Sequence, residues 1–227
     1  MNSKKQLIFI GIFTFLGFAA LQFPLTHLAG SKAQFTLFDS FAPIAGGFLG
    51  SFPGVVSVFL MQFFNFLIHG SKILDVGIII RFFPMMAAAV YFGKRNKLNL
   101  ILPILAIAAF NLNPIGRSVW YFSLYWLIPV VCYFFQERFL FARSLGSTFA
   151  AHSVGGALWI YFFHLSRSAW IALIPIVAIE RFTFALGIAV SYFIFNNILN
   201  YINNKKLVTW KFPVDHRYVW KFSEQHS

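Results

Sequence analysis

Charge of one sign is nearly missing from this chain. Six carboxylates stand among 227 residues, against eighteen lysines and arginines. No two of the six (Asp39, Asp75, Glu137, Glu180, Asp215 and Glu224) lie close enough in sequence to suggest an acid–base dyad. A phosphate-binding loop, an HExxH pair and a GxSxG elbow are all missing too. The chain is therefore not read as an enzyme, and any ATP hydrolysis has to come from partners. One cysteine, Cys132, allows no internal disulfide and argues against a thiolate metal site. The histidines His27, His69, His152 and His164 fall in different segments without the i, i+4 pairing of a metal-binding helix. Neither a metal nor a cofactor is expected.

What is present is apolar. Hydrophobic residues make up 59% and charged residues 11%. A water-soluble domain of this size cannot cover so much apolar surface with so little charge. Apolar runs follow one another from Gln6 to about Ile202, many near the ~20 residues that cross ~30 Å of hydrocarbon. The fold class expected is an all-α integral membrane protein, a polytopic bundle of six to eight transmembrane helices over 1–202. A basic cytoplasmic tail follows over 203–227.

The runs are read as 6–29, 36–50, 54–69, 75–93, 98–112, 118–135, 145–164 and 168–202. The first is too long for the apolar core of a signal peptide and is taken as a retained helix. Ser51-Phe52-Pro53-Gly54 is a tight break. The second and third runs are short enough to form one re-entrant pair, and Pro175 with Glu180-Arg181 interrupts the last. With both termini cytoplasmic, Lys4, Lys5, Lys94, Arg95, Lys97, Arg138, Arg143, Lys205, Lys206, Lys211, Arg217 and Lys221 lie inside. Lys32, Lys72, Arg117 and Arg167 lie outside. Twelve against four is a positive-inside bias and places the chain in the plasma membrane as a multi-pass protein. The net charge of +12 sits at the ends of the runs and forms no phosphate-binding face, so no nucleic-acid partner is expected.

Several residues stand out against this background. Gly46, Gly50 and Gly54 recur every four positions. Such spacing lets backbones approach closely, within the monomer or against a second membrane subunit. Arg81 lies about 9 Å below the predicted outer boundary. Glu180 and Arg181 sit near the middle of the last run. Side chains of sequence neighbours diverge by about 100° on a helix, so Glu180 is expected to pair across helices, with Arg81 as one candidate. Arg181 is the other arginine that could hold it. Pro84 and Pro175 loosen the helices beside these charges, as does Pro114 beside Asn111, Asn113 and Arg117. Polar and aromatic groups also gather at the predicted outer ends, as an interfacial belt or an outward-facing pocket: Asp39, Asp75, Asn113, Arg117, Trp120, Tyr121, Tyr125, His164, Arg167 and Trp170. Arg81, Asn113, Arg117, Trp120, Tyr125 and His164 are the expected solute-binding residues. Glu180, Arg181, Gly46, Gly50 and Gly54 are read as structural or coupling residues.

The stretch Phe38-Asp39-Ser40-Phe41-Ala42-Pro43-Ile44-Ala45-Gly46-Gly47-Phe48-Leu49-Gly50-Ser51-Phe52-Pro53-Gly54 resembles the second-to-third helix hairpin of the S components of energy-coupling factor (ECF) transporters. Arg81-Phe82-Phe83-Pro84 followed by Ala87-Ala88-Ala89 is similar to their next helix. Ile174-Pro175 to Glu180-Arg181 is similar to their last. The resemblance covers about half the chain and implies a vitamin-like small solute, a coupling membrane subunit and an ATPase pair. Gly17, Ala19 and Ala20 are the nearest match to the alanine-rich coupling motif. Asn2 stands where the cobalt and nickel members carry histidine, which disfavours a metal substrate. The expected function is a substrate-binding subunit for uptake of a small solute. The alternative is a non-transporting membrane scaffold or assembly protein, which a close-packed interior without a cavity would favour.

Overall fold

The computed structural model describes residues 3–27, 34–70 and 76–220. Lys32, Lys72, Asp75 and Lys221, used above as topology or outer-end markers, lie outside the described residues. Helices dominate. The first helix, α1 (Ser3–Leu21), stops well short of residue 29, because Pro24 cannot donate to a helical carbonyl. Strands β1 (Pro24–His27) and β2 (Gln34–Thr36) then form a two-stranded antiparallel ribbon, which the all-helical reading did not anticipate.

The second apolar run is two short helices, α2 (Leu37–Phe41) and α3 (Ile44–Leu49), parted at Pro43. The Thr36 N–H donates to Asp39 Oδ2 at 2.8 Å and closes the first turn of α2. Gly50, at φ 93°, turns the chain into α4 (Ser51–His69). Pro53 falls in the first turn of α4, where its missing N–H costs nothing. The break predicted at 51–54 therefore lies one residue earlier, at the glycine.

Then come α5 (Val76–Phe92), α6 (Leu98–Leu112) and α7 (Pro114–Ser118). A 3-10 segment, Trp120–Trp126, leads into α8 (Leu127–Tyr133), so the predicted run 118–135 is not one continuous α-helix. Two long helices close the bundle, α9 (Leu140–Phe162) and α10 (Arg167–Asn204). The 38 residues of α10 run without interruption through Pro175 and Glu180-Arg181, against expectation. Tyr125 donates its hydroxyl to the Ile174 carbonyl beside Pro175 at 3.0 Å, and Gln62 donates to the Phe82 carbonyl near Pro84 at 3.3 Å. Polar side chains from neighbouring segments thus reach backbone carbonyls near each proline, although the carbonyls that lose their helical donor are those four residues earlier, Ile171 and Ile80.

Among the described residues three helices are long and apolar enough to cross a membrane: Lys4–Leu21, Ser51–His69 and Arg167–Asn204. Shorter apolar helices are Leu37–Leu49, Gly77–Phe92, Leu98–Leu112 and Trp120–Tyr133. α1 and α4 run parallel, with Thr14 against Ser57 and Gln22 against Asn65. α5 and α9 run antiparallel, with Ser147 Oγ on the Ala88 carbonyl and Arg143 on those of Phe92 and Gly93. Outward faces stay apolar, with Phe15, Phe52, Leu105, Ile179 and Leu186 exposed.

Among the described residues two large aromatic cores lie inside, beside a small cluster of Tyr91, Cys132 and Ala150. One joins Phe9, Phe13, Phe48, Met61, Phe92 and Tyr192. The other joins Phe110, Phe122, Trp126, Phe149 and Trp170. α10 belongs to both, through Tyr192 and Trp170 respectively. The glycines of the α3–α4 turn are built into the packing. A Cβ on Gly46 would strike the Ala89 carbonyl, and one on Gly54 would come within 2.7 Å of Gly46. Both serve close approach inside the chain. Gly17 packs on Met61 in the same way.

The chain ends share one end of the bundle. Residues 205–220 fold back from α10, and Lys5 lies over the Trp210 ring at 6.0 Å. The Arg95 N–H donates to Glu137, and Arg217 donates to the Glu137 carbonyl, so both inter-helix turns rich in basic residues meet the tail there. The β-ribbon lies at the opposite end.

Candidate functional site

At the ribbon end the bundle opens into a cavity of about 750 Å³. Gln62 and Phe66 of α4, Arg81 and Phe82 of α5, His152, Gly155 and Trp159 of α9, and Trp170, Glu180 and Arg181 of α10 form its walls. Phe35, Thr36 and Asp39 close it near the ribbon. The room arises from the sequence of α9. At Gly155 a Cβ would lie 3.3 Å from the Pro84 ring, and at Gly156 it would run into the indole of Trp126. Glycine at both positions lets α9 approach α5 and the 3-10 segment without filling the space between.

Besides Gln62, Asn65 and His69, which also line it, the polar groups of the cavity fall into three sets. Arg181, 7% exposed, lies with Nη2 3.7 Å from Glu180 Oε2. Its guanidinium also lies over Phe35 at 4.9 Å and Phe184 at 5.0 Å. These faces stabilise a cation in a desolvated place. Asp39 stands within electrostatic reach of the same arginine. Sequence neighbours were expected to diverge, and here the long arginine chain bridges the angular gap between them. The cross-helix pair between Glu180 and Arg81 does not form. Arg81 is exposed, lines the cavity and has no ion-pair partner among the described residues.

His152 is the third set. The Trp126 indole N–H donates to its Nδ1 at 3.0 Å. Around it stand Phe122, Phe149 and Trp126, with ring centroids 5.7, 6.3 and 6.1 Å away. An indole nitrogen can only donate, so Nδ1 must be the acceptor and the proton of the neutral imidazole sits on Nε2. The ring thus has one nitrogen tied to the fold and one N–H free of protein partners among the described residues.

The structure splits the predicted solute-binding set. Arg81 lines the cavity. Asn113 does not; its Oδ1 accepts the N–H groups of Ile115 at 2.9 Å and Gly116 at 3.5 Å, capping α7. Pro114 thus begins a new helix, where its missing donor is harmless, and opens no polar hinge. Arg117, Trp120 and His164 are exposed away from the cavity, and His164 adopts φ 47° in the turn before α10. Tyr125 lines a second, shallower hollow of about 310 Å³ with Tyr121, Leu124, Ile128 and Ile174. The 3-10 segment redirects these side chains, and apolar periodicity gives no warning of such a segment.

Sequence reasoning placed Asp39 and Trp170 among the outer-end groups, and both line the cavity, but it missed His152, Trp159 and Gln62 as site residues. Each is a single polar or aromatic residue in an apolar run, with no spacing signal. Gly155-Gly156 was the one available clue, since paired glycines in a helix cost stability unless something needs the space. Among the described residues no three His, Cys, Asp or Glu side chains gather as a metal would need. What the cavity offers is one oriented N–H donor, one unpaired guanidinium, a buried ion pair and several aromatic faces. Comparisons with protein-family models, curated proteins and solved structures returned no match.

Proposed function

We propose that this chain is a multi-pass plasma-membrane protein that binds a small solute in the cavity, as a substrate-binding subunit of the S-component type. Both termini lie in the cytoplasm in this reading, and the cavity opens to the outside. The observation that carries it is the cavity of about 750 Å³, apolar in most of its lining yet holding Arg81, Glu180, Arg181 and His152. Ionisable groups are costly at membrane depth, and they gather where a solute passes or binds. Sites of 300 to 1,000 Å³ suit small organic molecules, as an order-of-magnitude guide. The basic residues at the tail end fit a cytoplasmic face. Energy for release inward would come from a coupling membrane subunit and an ATPase pair, since the chain has no nucleotide loop. Gly17 and Ala20 are buried, so a coupling partner would dock on another face of α1.

The test is native mass spectrometry of the chain extracted gently from its own membranes. A bound small molecule is expected in the parent and lost in Gly155→Phe, which fills the cavity. A parent without any bound or bindable solute would leave the scaffold reading in its place. Cysteine labelling at position 94 from outside the cell would overturn the orientation.

A further inference from the structure

We infer that His152 is the group that selects the ligand of this cavity, held by Trp126 as the Nε2–H tautomer. The site then takes a small molecule with a carbonyl or carboxylate oxygen on a flat apolar body, and refuses an ammonium group. The inference rests on the solute-binding reading and names the chemistry of that same site.

Three placed residues make the device. Gly156 leaves space that a Cβ would take from the Trp126 ring. Trp126, fully buried, turns its N–H onto His152 Nδ1 at 3.0 Å. His152 lines the cavity, and with Nδ1 taken by the indole its Nε2–H is the polar group left to meet a ligand there. To accept on Nε2, for a metal ion or an ammonium N–H, the imidazole would have to move its proton to Nδ1. That would set two donors against each other and break the indole bond. Protonating both nitrogens breaks it equally. So the ring faces the cavity as a donor only, and Arg81 adds a second donor with no carboxylate partner among the described residues. Phe122 and Trp170, with ring centroids 4.8 Å apart, supply apolar wall beside the imidazole for a flat body.

A purely structural role is the competing account, in which His152 exists only to accept the buried indole N–H. Matched probes separate the two. Naphthyl methyl ketone, ethylnaphthalene and naphthylethylammonium share a body and differ in the polar group. Binding of each to the purified full chain is measured by calorimetry in detergent. The ketone is expected to bind about fivefold more tightly than the hydrocarbon, the worth of one net hydrogen bond. The ammonium should bind more weakly than either. His152→Phe should erase the ketone's advantage and leave the hydrocarbon within about twofold. Should that variant not fold, His152→Phe with Trp126→Phe removes both partners and leaves no orphaned donor. A second readout needs no ligand. In protein labelled with 15N at histidine, the resonance lost in the variant should show Nδ1 as the unprotonated nitrogen. Equal affinities for ketone and hydrocarbon in the parent, or an advantage that survives in the variant, would overturn the inference and leave the cavity reading standing. Failure of all three probes to bind would remove the cavity reading itself, and the inference with it.

Discussion

The two halves of α10 use polar side chains in opposite ways. The second half carries Asn196, Asn197 and Asn203, and each closes on the backbone of the tail. Asn196 donates to the Asp215 carbonyl at 2.9 Å and accepts its N–H at 2.8 Å. Asn203 does the same with Phe212, at 2.9 and 2.8 Å. Asn197 donates to the Tyr218 carbonyl at 2.9 Å and accepts from the Trp220 N–H at 2.7 Å. A side-chain amide here imitates a peptide group, so an extended tail finds a partner without a strand. The first half carries Glu180 and Arg181 on the cavity wall. There Arg181 Nε has no hydrogen-bond partner among the described residues, and the ion pair is long. Paired amides fix a shape, whereas incompletely matched groups leave a place for something else to bind.

The largest effect that can break this contrast is at Arg181. Arg181→Met leaves Glu180 without its cation in a place with little water. The expected loss is about 3 kcal/mol in unfolding by denaturant, since stranding one member of a buried pair costs more than the pair is worth. Arg181→Met with Glu180→Met should recover most of it. A single variant as stable as the parent would mean that the pair is well hydrated, and the two halves of α10 would then differ less than the geometry indicates.

The clamp gives the next effect. Asn196→Ala removes two hydrogen bonds and leaves both backbone groups of Asp215 to water, for about 2 kcal/mol at most. Hydrogen exchange should accelerate at Asp215, and proteases should cut the tail sooner. Probe binding in the cavity should not change. A change there would mean that the tail and the cavity are coupled along the helix, and the contrast would become a mechanism.

How far the sequence foretold these regions follows from the range of each signal. The apolar runs fall largely within helices because apolar periodicity and length report helices directly. Arg143 and the turns at 94–97 and 134–139 gather at one end of the bundle. Helix ends were less legible. Pro24 cut α1 early, whereas Pro175 did not cut α10, where Tyr125 donates to the neighbouring Ile174 carbonyl. Proline reads the same in both places, so its effect on the helix was not legible from the residue alone. The site was least legible of all. Arg81 was found by its cost, but Asn113 is an equally polar residue that capped a short helix instead. His152 gave no signal because its meaning depends on Trp126, on another segment, and on a glycine one helical turn further on. The clamp asparagines looked like ordinary polar residues near a helix end.

Trp126→Phe is the finer test of the cavity half. The ring keeps much of its packing, and one hydrogen bond is lost, for about 1 kcal/mol. His152 is then free to carry its proton on either nitrogen. The advantage of naphthyl methyl ketone over ethylnaphthalene should shrink without vanishing. An unchanged ratio would show that the cavity side alone sets the tautomer, and that the indole merely packs.

The smallest effect lies in the tail, at Asp215. Its carboxylate accepts the Arg217 backbone N–H at 3.1 Å and its guanidinium Nε at 3.0 Å and Nη2 at 2.7 Å. The hydrogen bonds from Arg217 hold the carboxyl below the usual carboxylate range, and the carboxylate in turn raises the guanidinium. A group whose folded value is depressed stabilises the fold above its unfolded value near pH 4. That contribution fades as pH falls through the lower folded value. Arg217 is 52% exposed, so solvent screens the pair, and the whole contribution is about 0.5 kcal/mol. Protection of the Asp215 and Tyr218 amides should therefore be flat from neutral pH to about pH 4 and decline below it. Asp215→Asn should lower the plateau slightly and remove the decline. Because the asparagine clamp does not titrate, the decline must be shallow, with most of the tail's protection left at pH 2. A steep collapse of the tail in that window would mean that charge holds it, and the three asparagines would lose the role that sets this half of α10 apart from the other.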